Sequence, residues 1–299
     1  MAGMSIHGHI SSNARYTYFL MAAFVVLVVL IAYILGLSLG YGSDFVWIAV
    51  LLSVIASFVS YWWGDRVILA MSGARPADRK RDFDFFTVAE NLSIAAGIPK
   101  PRLYVIDDTA MNAFATGRDP EHAVVCATTG LLTRLERREL EGVIAHELSH
   151  ITNFDTRLLA IVAVLAGTVV YLSDMFMRSL WWGGRRRSRG DAQGLLLAIG
   201  VVLAILTPVF AMLMQLAISR KREFLADASG ANLTRYPEGL AKALEKISQD
   251  KEVLEAATNA TAHLYIANPF KGKEVHAWFS SLFNTHPPVT ERIERLRSM

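Results

Sequence analysis

Two histidines and a glutamate lie within five consecutive residues, His146-Glu147-Leu148-Ser149-His150. Residues four apart share one face of an α-helix, so His146 and His150 can direct both imidazoles at one metal ion. Zinc suits such a site, because it takes neutral imidazole nitrogens and keeps one position open for water. Glu147 is then placed to take a proton from that water and pass it to a leaving amine. The pattern therefore predicts a site for one Zn²⁺ ion per chain and hydrolysis of amide bonds.

Chance could produce the same five-residue pattern, so its context matters. No proline or glycine interrupts residues 143–151, and Val143, Ile144 and Leu148 are apolar positions with helical spacing. The stretch that begins at Glu136, ERRELEGVIAHELSHITNF, therefore predicts an amphipathic helix. This context favours a metal site over a chance match.

A third protein ligand must come from elsewhere in the chain. Glu223 is the candidate, and Asp227 follows it by one helical turn on the same face. The pair would supply a metal ligand and a second carboxylate that orients a histidine. The residues alone leave an alternative open, which is a charged helix end beside a membrane segment.

Shorter patterns around the motif predict a small sheet between helices. Residues 82–97 have helical apolar spacing and end at a glycine with a proline beyond it, which is typical of a helix stop. Strands are predicted at residues 102–106, 111–116 and 123–127. Together with the helix from Glu136, they predict a mainly helical α+β catalytic domain of the zincin-like class.

The composition is that of a membrane protein. Of the 299 residues, 53% are hydrophobic and 19% are charged, and the mean hydropathy is +0.33, whereas about a quarter of the residues in soluble domains are charged. Cys126 is the only cysteine, so no disulfide can form within the chain. These numbers exclude disordered and disulfide-rich folds and favour an α-helical membrane protein.

Four apolar segments predict about four transmembrane helices. Residues 16–39 and 45–63 are long enough to cross a hydrocarbon core of about 30 Å, and residues 158–177 and 195–218 follow. The first segment is longer than the apolar part of a signal peptide and lacks its cleavage site, which disfavours that alternative. The predicted organisation is a tail (1–15), a transmembrane hairpin (16–63), a first catalytic part (64–157), a second membrane hairpin (158–218) and a second catalytic part (219–299).

Basic residues beside the apolar segments predict the orientation. They follow the second and fourth segments, at Arg66, at residues 75–81 and at residues 220–222, which places both catalytic parts in the cytoplasm. Four arginines at 185–189 oppose this topology, so the third and fourth segments could instead form a shallow hairpin. Since the basic residues lie beside membrane segments, the formal charge of +3 predicts no nucleic-acid partner.

Several separate motifs resemble one family. They are HELSH with Asn153 and Asp155 after it, SRKREFLADASGA after two further apolar segments, MNAFATG at 111–117 and THPP at 285–288. Together they are similar to the HtpX family of membrane-bound zinc metalloproteases, relatives of the CAAX prenyl proteases. The resemblance covers nearly the whole chain.

The resemblance implies roles that the spacing does not assign. It makes Glu223 the third zinc ligand and Asp227 its supporting carboxylate. Substrates would be proteins or peptides, chiefly damaged or misassembled membrane proteins, cut at the cytoplasmic face of a bacterial inner membrane during stress. The lipid bilayer would be the other partner.

Substrate and catalytic roles also follow from the resemblance. His286 and Arg292 would line the site near the developing oxyanion, although without the family they read as a loop residue and a solvated helix charge. A strand would pair with the substrate backbone as an exposed sheet edge does, and its residues are Asn112, Ala113, Phe114 and Ala115.

Three other functions are weighed against this one. An intramembrane protease is disfavoured, because charged residues at 136–141 directly precede the motif. An inactive zinc-binding scaffold would have no use for Glu147 as a base. CAAX prenyl-protein processing is the nearest alternative, but those relatives have more membrane spans.

Overall fold

The computed structural model describes residues 15, 17–26, 28–30, 33, 44–165, 167, 220–258, 260–270 and 287–299. Its helices are α1 (Thr17–Leu30), α2 (Asp44–Met71), α3 (Phe83–Ala96), α4 (Thr129–Arg134), α5 (Arg137–Thr152), α6 (Asp155–Leu165), α7 (Arg220–Thr234), α8 (Pro237–Gln249) and α9 (Val289–Arg297). Its strands are β1 (Arg75–Pro76), β2 (Arg102–Ile106), β3 (Ala113–Thr116) and β4 (Val124–Thr128).

The four strands form one small sheet in the order β1-β2-β4-β3. β2 and β4 are parallel, whereas β1 and β3 pair antiparallel with their neighbours, with Phe114 opposite Cys126. The predicted strand at 102–106 is confirmed, and the other two shift by one or two residues at their ends. β1 was not predicted, because a two-residue strand carries no alternating pattern. β3 is the edge strand that lies nearest the helix bearing the HExxH motif.

Helix α5 carries the HExxH motif and is fixed at both its start and its side. Glu136 and Glu139 form a capping box that satisfies backbone N–H groups of the first turn, and Lys246 of α8 pairs with Glu139 at 2.7 Å. A Cβ atom at Gly142 would lie 2.5 Å from the Leu240 nitrogen. Glycine is therefore required there for α5 and α8 to pack this closely.

Helix α2 joins an apolar segment to the catalytic domain. The predicted segment ended at residue 63, but the helix continues through a kink at Trp63 to Met71. It continues because Ile68 and Leu69 are buried in one cluster with Phe114 of β3 and Cys126 of β4. The boundary predicted between membrane and catalytic parts is therefore crossed by a single helix.

The predicted transmembrane layout is confirmed only in part. Among the described residues, Val46–Met71 is one helix long and apolar enough to cross a membrane, and α1 is shorter. Helices α5 and α6 would qualify only as a pair, and they are bent by 84°. Most of the predicted segments at 158–177 and 195–218 lies outside the described residues, so the four-span layout and the domain boundaries stay predictions.

Candidate metal centre

Three buried side chains bring potential metal ligands together. His146 and His150 lie on α5, Glu223 lies in the first turn of α7, and one ligand atom from each lies within 4.8 Å of the others. The two helices pack closely because α7 has a glycine where they meet. A Cβ atom at Gly230 would lie 3.0 Å from the backbone nitrogen of His146. Packing of α5 on α7 thus assembles the group that the HExxH motif left incomplete.

The spacing of these atoms fits a tetrahedral metal ion. The Nε2 atoms of His146 and His150 are 3.2 Å apart, and Glu223 lies 3.4 Å from His150 Nε2 through Oε1 and 3.8 Å from His146 Nε2 through Oε2. Ligands about 2.05 Å from zinc at tetrahedral angles are about 3.3 Å from each other. Two imidazole nitrogens and one carboxylate oxygen are also the donor types of catalytic zinc sites. The residues present therefore fit zinc.

A carboxylate holds the other ring nitrogen of each histidine. His146 Nδ1 donates to Asp227 Oδ1 at 2.9 Å, and His150 Nδ1 donates to Asp155 Oδ2 at 3.1 Å. A hydrogen on each Nδ1 leaves each Nε2 with its lone pair toward the other at 3.2 Å. That arrangement is repulsive unless a cation lies between the two nitrogens.

The pKa values of the two histidines shift in opposite directions. Burial lowers the pKa of His146, against the hydrogen bond to Asp227. Burial also opposes protonation of His150, but hydrogen bonds to Asp155 and Glu223 outweigh it and raise the pKa of His150 well above its usual value. The carboxylates around the two rings thus stabilise a cation at this position, which a metal ion satisfies.

Arg292 of α9 lies behind the ligands and is fully buried. Its guanidinium donates to both oxygens of Asp227, at 2.9 Å and 2.7 Å, and to the Ile266 carbonyl at 3.2 Å. Burial raises the pKa of Asp227, but Arg292 and His146 outweigh it and hold that pKa below its usual value. Arg292 therefore fixes the carboxylate that orients His146.

Glu147 lines a small cavity together with the three potential ligands. The cavity has a volume of about 10 Å³, which is roughly the space of one water molecule. Burial raises the pKa of Glu147 to about 7, and a backbone hydrogen bond from Ala115 of β3 opposes this rise. A carboxyl group with such a pKa can both accept and release a proton at neutral pH.

The sequence has relatives that support this chemistry. The pattern of Peptidase family M48 matches residues 80–299. The chain belongs to this family. The protease HtpX homolog of Caldanaerobacter subterraneus subsp. tengcongensis is 43% identical over 293 residues, covering 97% of this chain and 96% of the relative. That of Dictyoglomus thermophilum is 44% identical over 299 residues, covering 100% of this chain and 96% of the relative.

A solved structure is also similar to this M48 peptidase. The crystal structure of S. mikatae Ste24p matches with 19% identity and a TM-score of 0.49, covering 95% of this chain and 65% of that chain.

The resemblance to the HtpX family is confirmed by the sequence relatives. The M48 peptidase is therefore a metalloprotease, and His146, His150 and Glu223 form a group able to bind its metal.

The predicted substrate strand lies beside this group, but its outer edge is covered. Asn112, Ala113, Phe114 and Ala115 are each at most 3% exposed. The Ile266 N–H donates to the Ala113 carbonyl at 2.9 Å, and the Asn112 side chain donates to the Ala267 carbonyl at 3.0 Å. The expectation of an exposed edge is therefore wrong for this conformation, because residues 266–267 of the same chain occupy it.

Two further residues concern the predicted site, His286 and Asp155. His286 lies outside the described residues, so its predicted catalytic role stays a prediction. Asp155, the partner of His150, was noted only as part of a resemblance and received no role. The sequence gives little indication of this role, because an aspartate five residues after a histidine can reach that ring only when the helix ends between them, as α5 does at Thr152.

We expect Asp155→Asn to weaken metal binding about 10- to 100-fold. The neutral amide holds the His150 ring less firmly and removes a negative charge near the metal. Asp227→Asn should also lower thermal stability, because the buried Arg292 would lose its nearest charge partner and keep only Glu223 at 3.6 Å. Competition with a zinc chelator measures the affinity, and Asp84→Asn, at an exposed position on α3, is the control. Equal affinity in all the variants would show that these carboxylates do not support the site.

Proposed function

We propose that this M48 peptidase is a membrane-bound zinc endopeptidase. It cleaves segments of membrane or misfolded proteins close to the cytoplasmic face of the bacterial inner membrane, as part of membrane protein quality control. The observation that carries the proposal is the metal-binding group with Glu147 in the same cavity. A purely structural zinc site has four protein ligands and no cavity beside them.

Each residue of the site has its own role in the proposed reaction. His146, His150 and Glu223 would hold zinc, which supplies Lewis acidity that activates water and polarises a carbonyl group. Glu147 takes a proton from the attacking water at its carboxylate and delivers it to the nitrogen of the departing amine. The Ala115 N–H holds the Glu147 carboxylate in place. Asp155, Asp227 and Arg292 keep the rings and the third ligand in position.

The path of α2 supports cleavage close to the membrane. Residues 45–64 carry no charge, and twenty helical residues extend about 30 Å, the thickness of a hydrocarbon core. Ile68 follows four residues later, about 6 Å along the helix, and packs in one cluster with Phe114 of β3. About one helical turn of α2 thus separates the end of its uncharged part from the cluster that contains Phe114 of β3, the strand beside the metal centre.

The backbone of β3 supports its role in binding an extended substrate. The Thr128 N–H donates to the Asn112 carbonyl at 3.0 Å, so the backbone groups of Asn112 face β4. By alternation, the backbone groups of Ala113 and Ala115 face the outer edge. There the Ala115 N–H contacts Glu147, and the Ala113 carbonyl accepts from Ile266. A substrate strand would replace Ile266 at the Ala113 carbonyl.

Cleavage should favour sites close to a membrane anchor. One scissile sequence is moved stepwise from the membrane span of a model substrate in proteoliposomes, and a soluble protease checks that every site is equally accessible. We expect cleavage to decline as the linker grows, because the metal centre is held near the membrane by α2. Constant cleavage out to about 60 Å of linker, at roughly 3 Å per extended residue, would exclude a juxtamembrane preference while leaving the peptidase chemistry intact.

Substrate pairing with β3 predicts sensitivity to one peptide amide. N-methylation of each backbone nitrogen around the scissile bond removes one donor at a time. We expect kcat/KM to fall about tenfold at one position, because the buried Ala113 carbonyl would lose its partner. Methylation at a distant residue of the same peptide is the control. A uniform small effect at every position would argue against β3 as the substrate strand.

A further inference from the structure

A second cavity lies away from the metal centre, at the end of the apolar part of α2. Its volume is about 550 Å³. Its apolar wall consists of Phe58, Trp62 and Trp63, and three arginines from α2, β2 and the segment after β3 face it. We name this cavity the interface groove, lined among others by Phe58, Trp62, Trp63, Arg66, Arg102 and Arg118.

The arginines of the interface groove differ in how far they are already paired. Arg102 forms an ion pair with Asp65, and Arg118 forms one with Asp119 at 3.3 Å. Arg66 is exposed and has no ion-pair partner among the residues that the structure describes. Glu121 also lines the groove, and together with Asp65 and Asp119 it gives three carboxylates for the three arginines. Arg66 is therefore the arginine of the groove whose guanidinium is open to an anionic group.

The aromatic side chains are arranged as a preformed wall. Trp62 and Trp63 are 44% and 42% exposed, and the ring of Phe58 lies 6.1 Å and 5.7 Å from theirs. The Arg118 guanidinium stacks over Trp62 at 4.8 Å and also donates to His122 at 2.7 Å. These contacts fix Arg118 at the boundary between the aromatic wall and the charged end of the groove.

The position along α2 identifies the source of the anion. Arg66 follows Val46 by twenty positions, about 30 Å along a helix, so it lies where a hydrocarbon core ends. Tryptophan rings prefer this headgroup level, and arginine binds phosphate oxygens through paired N–H groups. A free phosphate ion would use the arginines but not the aromatic wall. A phospholipid would use both.

We propose that the interface groove binds a phospholipid headgroup through its phosphodiester, with Arg66 as the principal cation and Trp62 and Trp63 against the adjoining glycerol and chain ends. This inference rests on the membrane anchoring proposed above and assigns no part of the catalytic reaction. Because α2 leads directly to the cluster under β3, a lipid bound there would fix the height of the metal centre at the membrane surface.

The test uses the full chain purified in detergent, stripped of lipid and examined by native mass spectrometry. The probes are phosphatidylglycerol, diacylglycerol with the same chains, and inorganic phosphate. We expect phosphatidylglycerol to be retained and diacylglycerol not, and we expect phosphate alone not to displace the lipid. Arg66→Gln should lower phosphatidylglycerol affinity about tenfold, the effect of losing one charge-assisted hydrogen bond.

Arg79→Gln is the matched control, because it removes the same charge from an exposed side chain outside the interface groove. Equal affinity in wild type and Arg66→Gln, equal losses in both variants, equal retention of diacylglycerol, or displacement by phosphate would each overturn the proposal. Carbonate extraction of cell membranes tests the anchoring separately. A chain that stays in the membrane pellet but shows one of these results disproves the lipid site alone, whereas release from the pellet disproves the anchoring.

Discussion

Glu147→Gln is expected to remove most of the proteolytic activity and leave the metal bound. The amide cannot accept a proton from water, so we expect kcat/KM to fall about 10³-fold, within the range for a lost general base. The three metal ligands are unchanged, and the amide oxygen can still accept the hydrogen bond from the Ala115 N–H. Peptide cleavage and zinc content, measured on the same preparation, check the two parts of this expectation.

Glu141→Gln is the control for this variant. It makes the same chemical change on the same helix, where Glu141 pairs with Arg137 at 3.4 Å away from the metal group. We expect this control to keep both activity and zinc. Activity retained by Glu147→Gln would remove Glu147 from the reaction, and loss of zinc from it would make Glu147 a part of the metal site instead.

Glu223→Ala is expected to lose the metal and, with it, all activity. The substitution leaves only His146 and His150 as ligands and removes the negative charge that the metal offsets. We expect zinc content near the background level and no measurable cleavage, whereas Glu147→Gln loses activity alone. Elemental analysis of the purified variants separates the two cases.

Glu238→Ala on α8 is a suitable control, because Glu238 pairs with Arg297 on the surface at 3.3 Å. A further variant, Glu223→Asp, keeps the charge but shortens the side chain, so it should retain part of the zinc. Full zinc occupancy in Glu223→Ala would exclude Glu223 as a ligand and would require a third ligand from outside the described residues.

The resemblance to the HtpX family and the position of the catalytic helix followed from the sequence. Helical spacing places His146 and His150 on one face, and the same spacing places Glu223 and Asp227 one turn apart. Such relations lie within single elements, where backbone geometry alone fixes them. The strand at Arg102–Ile106 was equally readable, because its apolar run lies between clear turn signals.

Other features depended on contacts between distant parts of the chain. Asp155 reaches His150 because α5 ends and the chain turns by 84° into α6. Without the family resemblance, which placed Arg292 in the site, the residue would be interpreted as a solvated helix charge, yet it is fully buried against Asp227, 65 residues away. The covered edge of β3 likewise depends on Ile266, which no local pattern connects with Ala113.

The sequence by itself determined the two histidine ligands, the helix that carries them and the chemistry they can perform, since local periodicity encodes which side chains share a face. The tertiary structure alone decided which carboxylate supports which histidine, where Arg292 lies, and how far α2 runs into the catalytic domain. These outcomes depend on packing between elements. Helix α2 continues beyond Trp63, where its apolar segment ends, because Ile68 and Leu69 are buried in one cluster with Phe114. Spacing within one element carries no information about such contacts.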